Sequence, residues 1–326
     1  MQKEEIKEVL SAWSVTKVHS IATPDTGKVN TTIIIDSPQG KFALRRYNHT
    51  DQLRVQRVNA VIQFAAAHGI PAVCPIPTQT GENILLLPTG PYALFPYIQG
   101  EHPTRDTLHI KRIEEMGRFL GQLHNVLKAY PLSQVPERHF QVNPEETLTV
   151  IKALEKGIEE REGAHPTDAY ALKRLKGKKA WIESGPQDPI PNLQRMEQQV
   201  IHGDYQVSNL FYNDDTIKGI IDWDGTSSAP RLWEVVRCLD YEFGFQIEPS
   251  LVFLRKYNAD NPIDLHQLNL MAHCYGYVED QKLWAFQAVY FRGEDRARIY
   301  LKPGEFIPIV KRWEPLWTCL SDTQLI

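Results

Sequence analysis

The sequence predicts an α+β protein with its strands early and its helices late, and three observations carry that prediction. β-Branched and aromatic residues crowd into short runs between residues 15 and 97, separated by turn residues. From Arg105 onward apolar residues recur at helical spacing, as in Ile110, Ile113, Met116, Phe119, Leu120 and Leu123. One later pair of β-type runs, 210–212 and 217–221, flanks the turn Asn213-Asp214-Asp215 and interrupts the helical part. The 326 residues exceed the usual single-domain length. Two lobes are therefore expected: sheet plus helix over 1–96, and a mainly helical lobe over 97–326.

The first lobe opens with a short amphipathic helix over 4–13, where Ile6, Val9, Leu10 and Trp13 share a face. Strands follow over 15–22, 29–36, 41–47, 83–88 and 91–97, enough for a five-stranded antiparallel sheet. Between the third and fourth, residues 51–68 read as a helix with Asp51 as N-cap and Val55, Val58, Ile62 and Ala65 as its apolar stripe. In the third strand, side-chain alternation puts Phe42, Leu44 and Arg46 on one face and Ala43 and Arg45 on the other. Only one of the adjacent arginines can therefore face a ligand. In the second lobe, Gly117 and Gly121 allow another element to pack closely, and His124 reads as a packed core histidine. Two charged helices over 145–160 and 168–183 read as an inserted arm, Glu234 as structural, and the Arg-rich run 290–298 as a salt-bridged helix surface.

With 42% hydrophobic and 23% charged residues, the chain has the composition of a soluble globular protein. A net charge of -4 gives no reason to expect nucleic acid or an anionic membrane as partner. No apolar stretch has signal-peptide or membrane-spanning character, and Cys74, Cys238, Cys274 and Cys319 stand singly, without metal or redox spacing. A cytoplasmic protein with reduced thiols is expected. The oligomeric state is not legible.

The chemistry concentrates between Val200 and Asp224. Closing the hairpin brings Asn209, just before its first strand, beside Asp222, just after its second. An amide oxygen and a carboxylate at the open end of a hairpin form a hard oxygen site of the kind Mg²⁺ accepts when phosphates and water complete its shell. Asp204, five residues before Asn209, is then one loop away, where it can accept the proton of a hydroxyl attacking a γ-phosphate. On the third strand, a small Ala43 beside Arg45 leaves room for adenine and offers a cation to phosphates; an exposed arginine pair on an edge strand is the other reading. Gly27 followed by Asn30 and Thr31 is either a plain hairpin turn or a loop whose N–H groups cover ATP phosphates.

The spacing His202-Gly203-Asp204, Asn209 and Asp222 resembles the catalytic loop of the protein-kinase fold. Gly203 in place of Arg, and Ile-Asp-Trp-Asp over 221–224, resemble the aminoglycoside phosphotransferase and choline kinase superfamily, which includes type II homoserine kinases. The resemblance covers nearly the whole chain. It implies a bilobal kinase-like fold, ATP and Mg²⁺ as cofactors, and transfer of a phosphoryl group to a small-molecule hydroxyl such as homoserine, an amino alcohol, an aminoglycoside or another sugar. It also implies that residues 94–100 are the hinge, with Phe95, Tyr97 and Ile98 near the nucleotide, and that Tyr205 and Asp224 approach the substrate. Two features depart from the pattern: Arg45 stands where Lys is common, and no Glu occurs in 51–68 to pair with it. An amide of that helix or an acid from elsewhere must orient Arg45. The alternative reading is a non-catalytic kinase-fold protein that binds nucleotide.

Overall fold

The computed structural model describes residues 3–23, 30–48, 51–161, 163 and 165–323; Gly27 lies outside them. The chain forms two compact units, the first of Met1–Glu137, Gln199–Ala229 and Val252–Pro262, the second of Arg138–Gln198, Pro230–Leu251 and Ile263–Ile326. Among the described residues no helix is long and apolar enough to cross a membrane.

In the first unit, helix α1 (Lys3–Ser11) lays Ile6, Val9 and Leu10 on a sheet made of β1 (Ser20–Ala22), β2 (Thr31–Ser37), β3 (Gly40–Arg46), β4 (Leu85–Leu87) and β5 (Gly90–Pro96). The strands are antiparallel in the order β1-β2-β3-β5-β4, with Ile33 opposite Leu44 and Thr32 opposite Arg45. Strand β1 is shorter than the expected 15–22. After α1 the chain turns at Ser14, whose φ is 58°, and Val15 donates its N–H to Leu10 and joins the core under the helix instead of pairing in the sheet. Alternation along β3 holds as expected. Leu44 is buried with Phe42 against the α1 side, where Arg46 also meets Glu5 at 3.5 Å. Arg45 points the other way.

The opposite sheet face carries helix α2 (Gln52–Ala67), capped by the Asp51 carboxylate, which accepts from the Arg54 N–H at 3.0 Å. Val55 packs there with Tyr47 and Ala93. Past Gly69, in the left-handed region at φ 86°, the chain docks on the later hairpin: Ile220 donates its N–H to Pro71 and Val73 donates to Ile220. Helix α3 (Ile110–Leu127) is approached so closely that a Cβ on Gly117 would lie 2.3 Å from the Phe253 carbonyl oxygen, and one on Gly121 3.1 Å from the Asp260 Cβ. The small residues admit this neighbour, as the sequence indicated. His124 is fully buried, its Nδ1 2.8 Å from the Tyr257 hydroxyl.

In the second unit, helices α4 (Pro144–Glu159) and α5 (Pro166–Glu183) bury Ile151, Leu154, Ala171 and Leu175 in one core with Phe286 and Val289. The Arg-rich run is salt-bridged, but part of it is interior: Arg298 is buried and donates to Thr167 at 2.6 Å, Asp168 at 3.2 Å and Asp295 at 3.0 Å. Helices α6 (Leu232–Phe243), α7 (Ile247–Asp260), α8 (Leu265–Glu279), α9 (Trp284–Tyr290) and α10 (Ile309–Thr323) complete the helical complement, α7 running from the second unit into the first. Glu234, in α6, is fully buried.

Candidate active site

The segment that carries the candidate chemistry is folded against itself. Strand β6 (Gln198–Ile201) leads into the loop, and β7 (Leu210–Asn213) and β8 (Thr216–Ile220) form the hairpin around Asp214, whose φ is 51°. At its open end Ile221 donates its N–H to the Asn209 carbonyl at 3.0 Å, which sets Asn209 beside Asp222 as the spacing demanded. His202 fixes the other edge of the loop: its Nδ1 accepts from the Asp204 N–H at 3.3 Å, so Nε2 carries the proton and donates to the Ile221 carbonyl at 3.0 Å. Gly203 sits at φ 84°, a conformation that glycine adopts without steric cost. A Cβ on Gly225 would come within 2.9 Å of the Gly203 backbone, so glycine at 225 lets the two strands of loop touch.

Within this loop the Asp204 carboxylate is held in place. Its Oδ2 accepts from Asn209 Nδ2 at 3.0 Å and from Gln206 Nε2 at 2.9 Å. The Asn209 amide also donates to the Asp204 carbonyl at 2.8 Å. With its nitrogen committed, the Asn209 oxygen has no protein donor among the described residues and remains available as a ligand. Asp222 is in the left-handed region at φ 62°, ψ 60°, an uncommon place for a non-glycine residue and one that recurs at functional sites. Its side chain is 42% exposed.

Arg45 joins this site from β3. Its Nη2 lies 3.0 Å from Asp222 Oδ1 and 2.6 Å from Asp224 Oδ2, and its guanidinium sits 5.2 Å from the Tyr47 ring centroid. Burial by itself lowers the Arg45 pKa, but Asp224, Tyr47 and Asp222 outweigh it and the net shift is upward. Burial pushes the Tyr47 hydroxyl up to about 12, so it stays protonated beside the carboxylates. The acid that the α2 helix lacks is thus supplied from the hairpin side. Among the described residues Arg45 Nε is buried without a hydrogen-bond partner.

The other expected site residues are placed as follows. Asn30 is buried, accepts from the Asn48 N–H at 3.1 Å and donates to Asp224 Oδ2 at 2.5 Å, so its amide is already engaged in the site. Thr31 opens β2 opposite Arg46. Phe95 lies across from Ala43, Tyr97 is exposed and donates its N–H to the Lys41 carbonyl, and the Ile98 N–H has no partner among the described residues. Ile98 packs on β8, where a Cβ on Gly219 would meet its Cδ1 at 2.8 Å. Residue 101 then pairs with Tyr212, so the segment after β5 runs along the hairpin. Tyr205 departs from expectation: its ring is fully buried, stacked near Phe119, and its hydroxyl donates to the Met116 carbonyl at 2.9 Å. That side chain anchors the loop to α3.

Asn209 and Asp222 fit a divalent cation. They provide one neutral and one anionic hard oxygen, too few to enclose an ion but suited to one that shares its shell with phosphates and water. The described residues contain no group of three His, Cys, Asp or Glu placed to bind a metal. Sequence reasoning missed Gln206 and Arg54, which donates to the Asp224 carbonyl at 2.8 Å. Gln206, two residues after Asp204, was legible as the first amide side chain beyond it; nothing local marked Arg54. It also missed β9 (Ser227–Pro230), which pairs with β6 although Ser-Ser-Ala-Pro has little strand propensity.

The chain is similar to several known proteins. The homoserine kinase of Rhodopseudomonas palustris (strain TIE-1) is 22% identical over 275 residues, 80% of this chain and 76% of the relative. That of Phenylobacterium zucineum is 20% identical over 268 residues, 80% and 77%. Among solved structures, a spectinomycin phosphotransferase in complex with ADP and spectinomycin superposes with a TM-score of 0.66 at 14% identity, covering 100% of this chain and 99% of its own. An amicoumacin kinase in complex with AMP-PNP and Ca²⁺ gives 0.62 at 12% identity, covering 95% and 96%. The fold is the α+β kinase-like one. Residues 21–270 match the phosphotransferase enzyme family, and on that match the chain belongs to this family and is a small-molecule kinase.

Proposed function

We propose that this enzyme transfers the γ-phosphoryl group of ATP, in the presence of Mg²⁺, to a hydroxyl group of a small molecule. The observation that carries the reading is the meeting of Asp204, Asn209, Asp222 and Arg45 in one site, with two oxygen ligands and a cation grouped around a positioned carboxylate. Asp204 accepts the proton of the attacking hydroxyl, its carboxylate held by Asn209 and Gln206. Asn209 and Asp222 hold the metal, which when bound supplies charge neutralisation on the phosphates. Arg45 donates to phosphate oxygens, and the Ile98 N–H with the neighbouring hinge backbone receives the adenine edge. Thr31 and Asn30 lie on the phosphate side of the nucleotide. On this reading residues 1–96 form the nucleotide lobe and 97–326 the catalytic and acceptor lobe, and the single cysteines fit a cytoplasmic enzyme. The names of the relatives favour homoserine as acceptor, while the solved structures keep aminoglycoside-like alcohols in the panel.

The test is a thermal-shift screen of ATP, GTP and ADP with and without Mg²⁺, followed by homoserine, choline, spectinomycin and simple sugars with ADP release as the readout. Stabilisation by nucleotide that needs Mg²⁺, and ADP release that needs one of the alcohols, supports the reading. Nucleotide binding with no turnover on any alcohol favours a binding protein instead.

A further inference from the structure

The cation of the site has no acid to meet on helix α2. Among the described residues, Gln56, Asn59 and Gln63 of that helix make no bond to Arg45, and Asn59 is buried with neither amide atom partnered. Arg45 instead spans Asp222 and Asp224, and these two carboxylates differ. Asp222 is 42% exposed and touches Arg45 at 3.0 Å; Asp224 is 25% exposed and touches it at 2.6 Å. The Asp224 Oδ2 that receives Arg45 also receives Asn30 Nδ2 at 2.5 Å, and the Asp224 carbonyl receives Arg54 Nη2 from α2 at 2.8 Å. Outer partners of this kind fix the orientation of the group they hold.

We infer that Asp224 is the positioning residue of the nucleotide clamp: it holds the Arg45 guanidinium for the phosphates, in place of an acid from α2, and is itself held by Asn30 and Arg54. The inference rests on the phosphotransfer reading above. It divides the two carboxylates by task. Asp222 can exchange Arg45 for the metal when nucleotide arrives, while Asp224 keeps the guanidinium in place. It also gives α2 a different part: the helix contributes a cation, Arg54, to the backbone carbonyl of Asp224 rather than a carboxylate to Arg45. Asp224 is then no ligand of the acceptor.

A double-mutant cycle on the full chain tests this, with the dissociation constant of ATP in the presence of Mg²⁺ as the readout. Asp224→Asn and Arg45→Met should each weaken binding about tenfold or more, the usual scale of a hydrogen bond to a charged group. The double variant should be no weaker than Arg45→Met alone, since the loss passes through the guanidinium. Asp224→Glu should recover part of the affinity. In a Mg²⁺ titration at fixed ATP, Asp224→Asn should leave the midpoint in place while Asp222→Asn moves it. Melting temperatures without nucleotide report folding; if Asp224→Asn folds poorly, Arg54→Met, which removes only a support, should weaken ATP in the same direction. Additive losses in the cycle, or a Mg²⁺ midpoint shifted by Asp224→Asn as by Asp222→Asn, overturn the inference alone. A parent protein that binds no ATP with Mg²⁺ overturns the proposed function itself.

Discussion

At the scale of single residues, neighbours in sequence do different work because the backbone turns them apart. Arg45 and Arg46 are adjacent, yet one reaches Asp222 and Asp224 and the other reaches Glu5 under α1. Arg45→Met should therefore weaken ATP binding or turnover by far more than Arg46→Met, which removes a partly exposed ion pair of small worth. Equal losses in calorimetry and steady-state rates would mean that the two-sided strand does not govern nucleotide binding. Asp204 has a similarly narrow task. Asp204→Asn keeps the shape of the side chain and removes its basicity, so turnover should fall about 10²- to 10⁴-fold with the ATP dissociation constant nearly unchanged. Retention of most of the rate would remove Asp204 from the role of base.

Elements position these residues through a few close approaches. The hairpin of β7 and β8 is tied to the α2 exit at Pro71 and Val73, to Glu101 through Tyr212, and to α3 through the Glu115 carboxylate, which accepts from the Ile217 N–H at 3.1 Å. Helix α3 is itself seated by Gly117 against the Phe253 carbonyl. A Cβ there would stand 2.3 Å from that oxygen, well inside contact, and the obstacle is backbone, so the helix must shift. Gly117→Ala should destabilise the protein by about 1–3 kcal/mol, the range of overpacked interiors. Denaturant melts of the variant check this. A midpoint equal to that of the parent would show that the α3 contact yields at no cost.

At the scale of the whole molecule, buried charge in the second unit makes stability depend on pH. Lys178 is buried, donates to the Asp280 carbonyl, and has its pKa lowered to about 8, chiefly by burial, against the partial support of Asp280. Below about pH 8 folded and unfolded chains both carry the proton, and the cost of burying the charge is fully felt. Between about 8 and 10.5 only the unfolded chain binds it, so this group makes stability rise with pH. Burial raises Asp280 to about 6, and it has the opposite trend: between 3.8 and about 6 its contribution falls as pH rises. Melting temperatures of the parent measured against Lys178→Met should show an excess rise for the parent from pH 8 to 10. Parallel profiles would mean that Lys178 is not desolvated in the folded state.

What the sequence determined by itself were the features written in local pattern. Strand alternation separated Arg45 from Arg46, turn residues and apolar runs closed the hairpin that unites Asn209 with Asp222, and Asp51 capped α2. Gly117 and Gly121 announced a close neighbour, and the spacing of His202, Asp204 and Asn209 announced a loop folded on itself. Each depends on residues within one strand, one helix or one hairpin, where backbone geometry leaves few choices. Tertiary structure alone decided which acid meets Arg45, since Asp224 lies 179 positions away and nothing near Arg45 marks it as the partner. Tertiary structure also turned Tyr205 inward to Met116 and paired the weak strand Ser227–Pro230 with β6. The physical reason is the same in all three cases. Burial of a charge, a ring or a strand edge is settled by whatever partner the fold brings to it, and that partner is fixed only when distant segments meet.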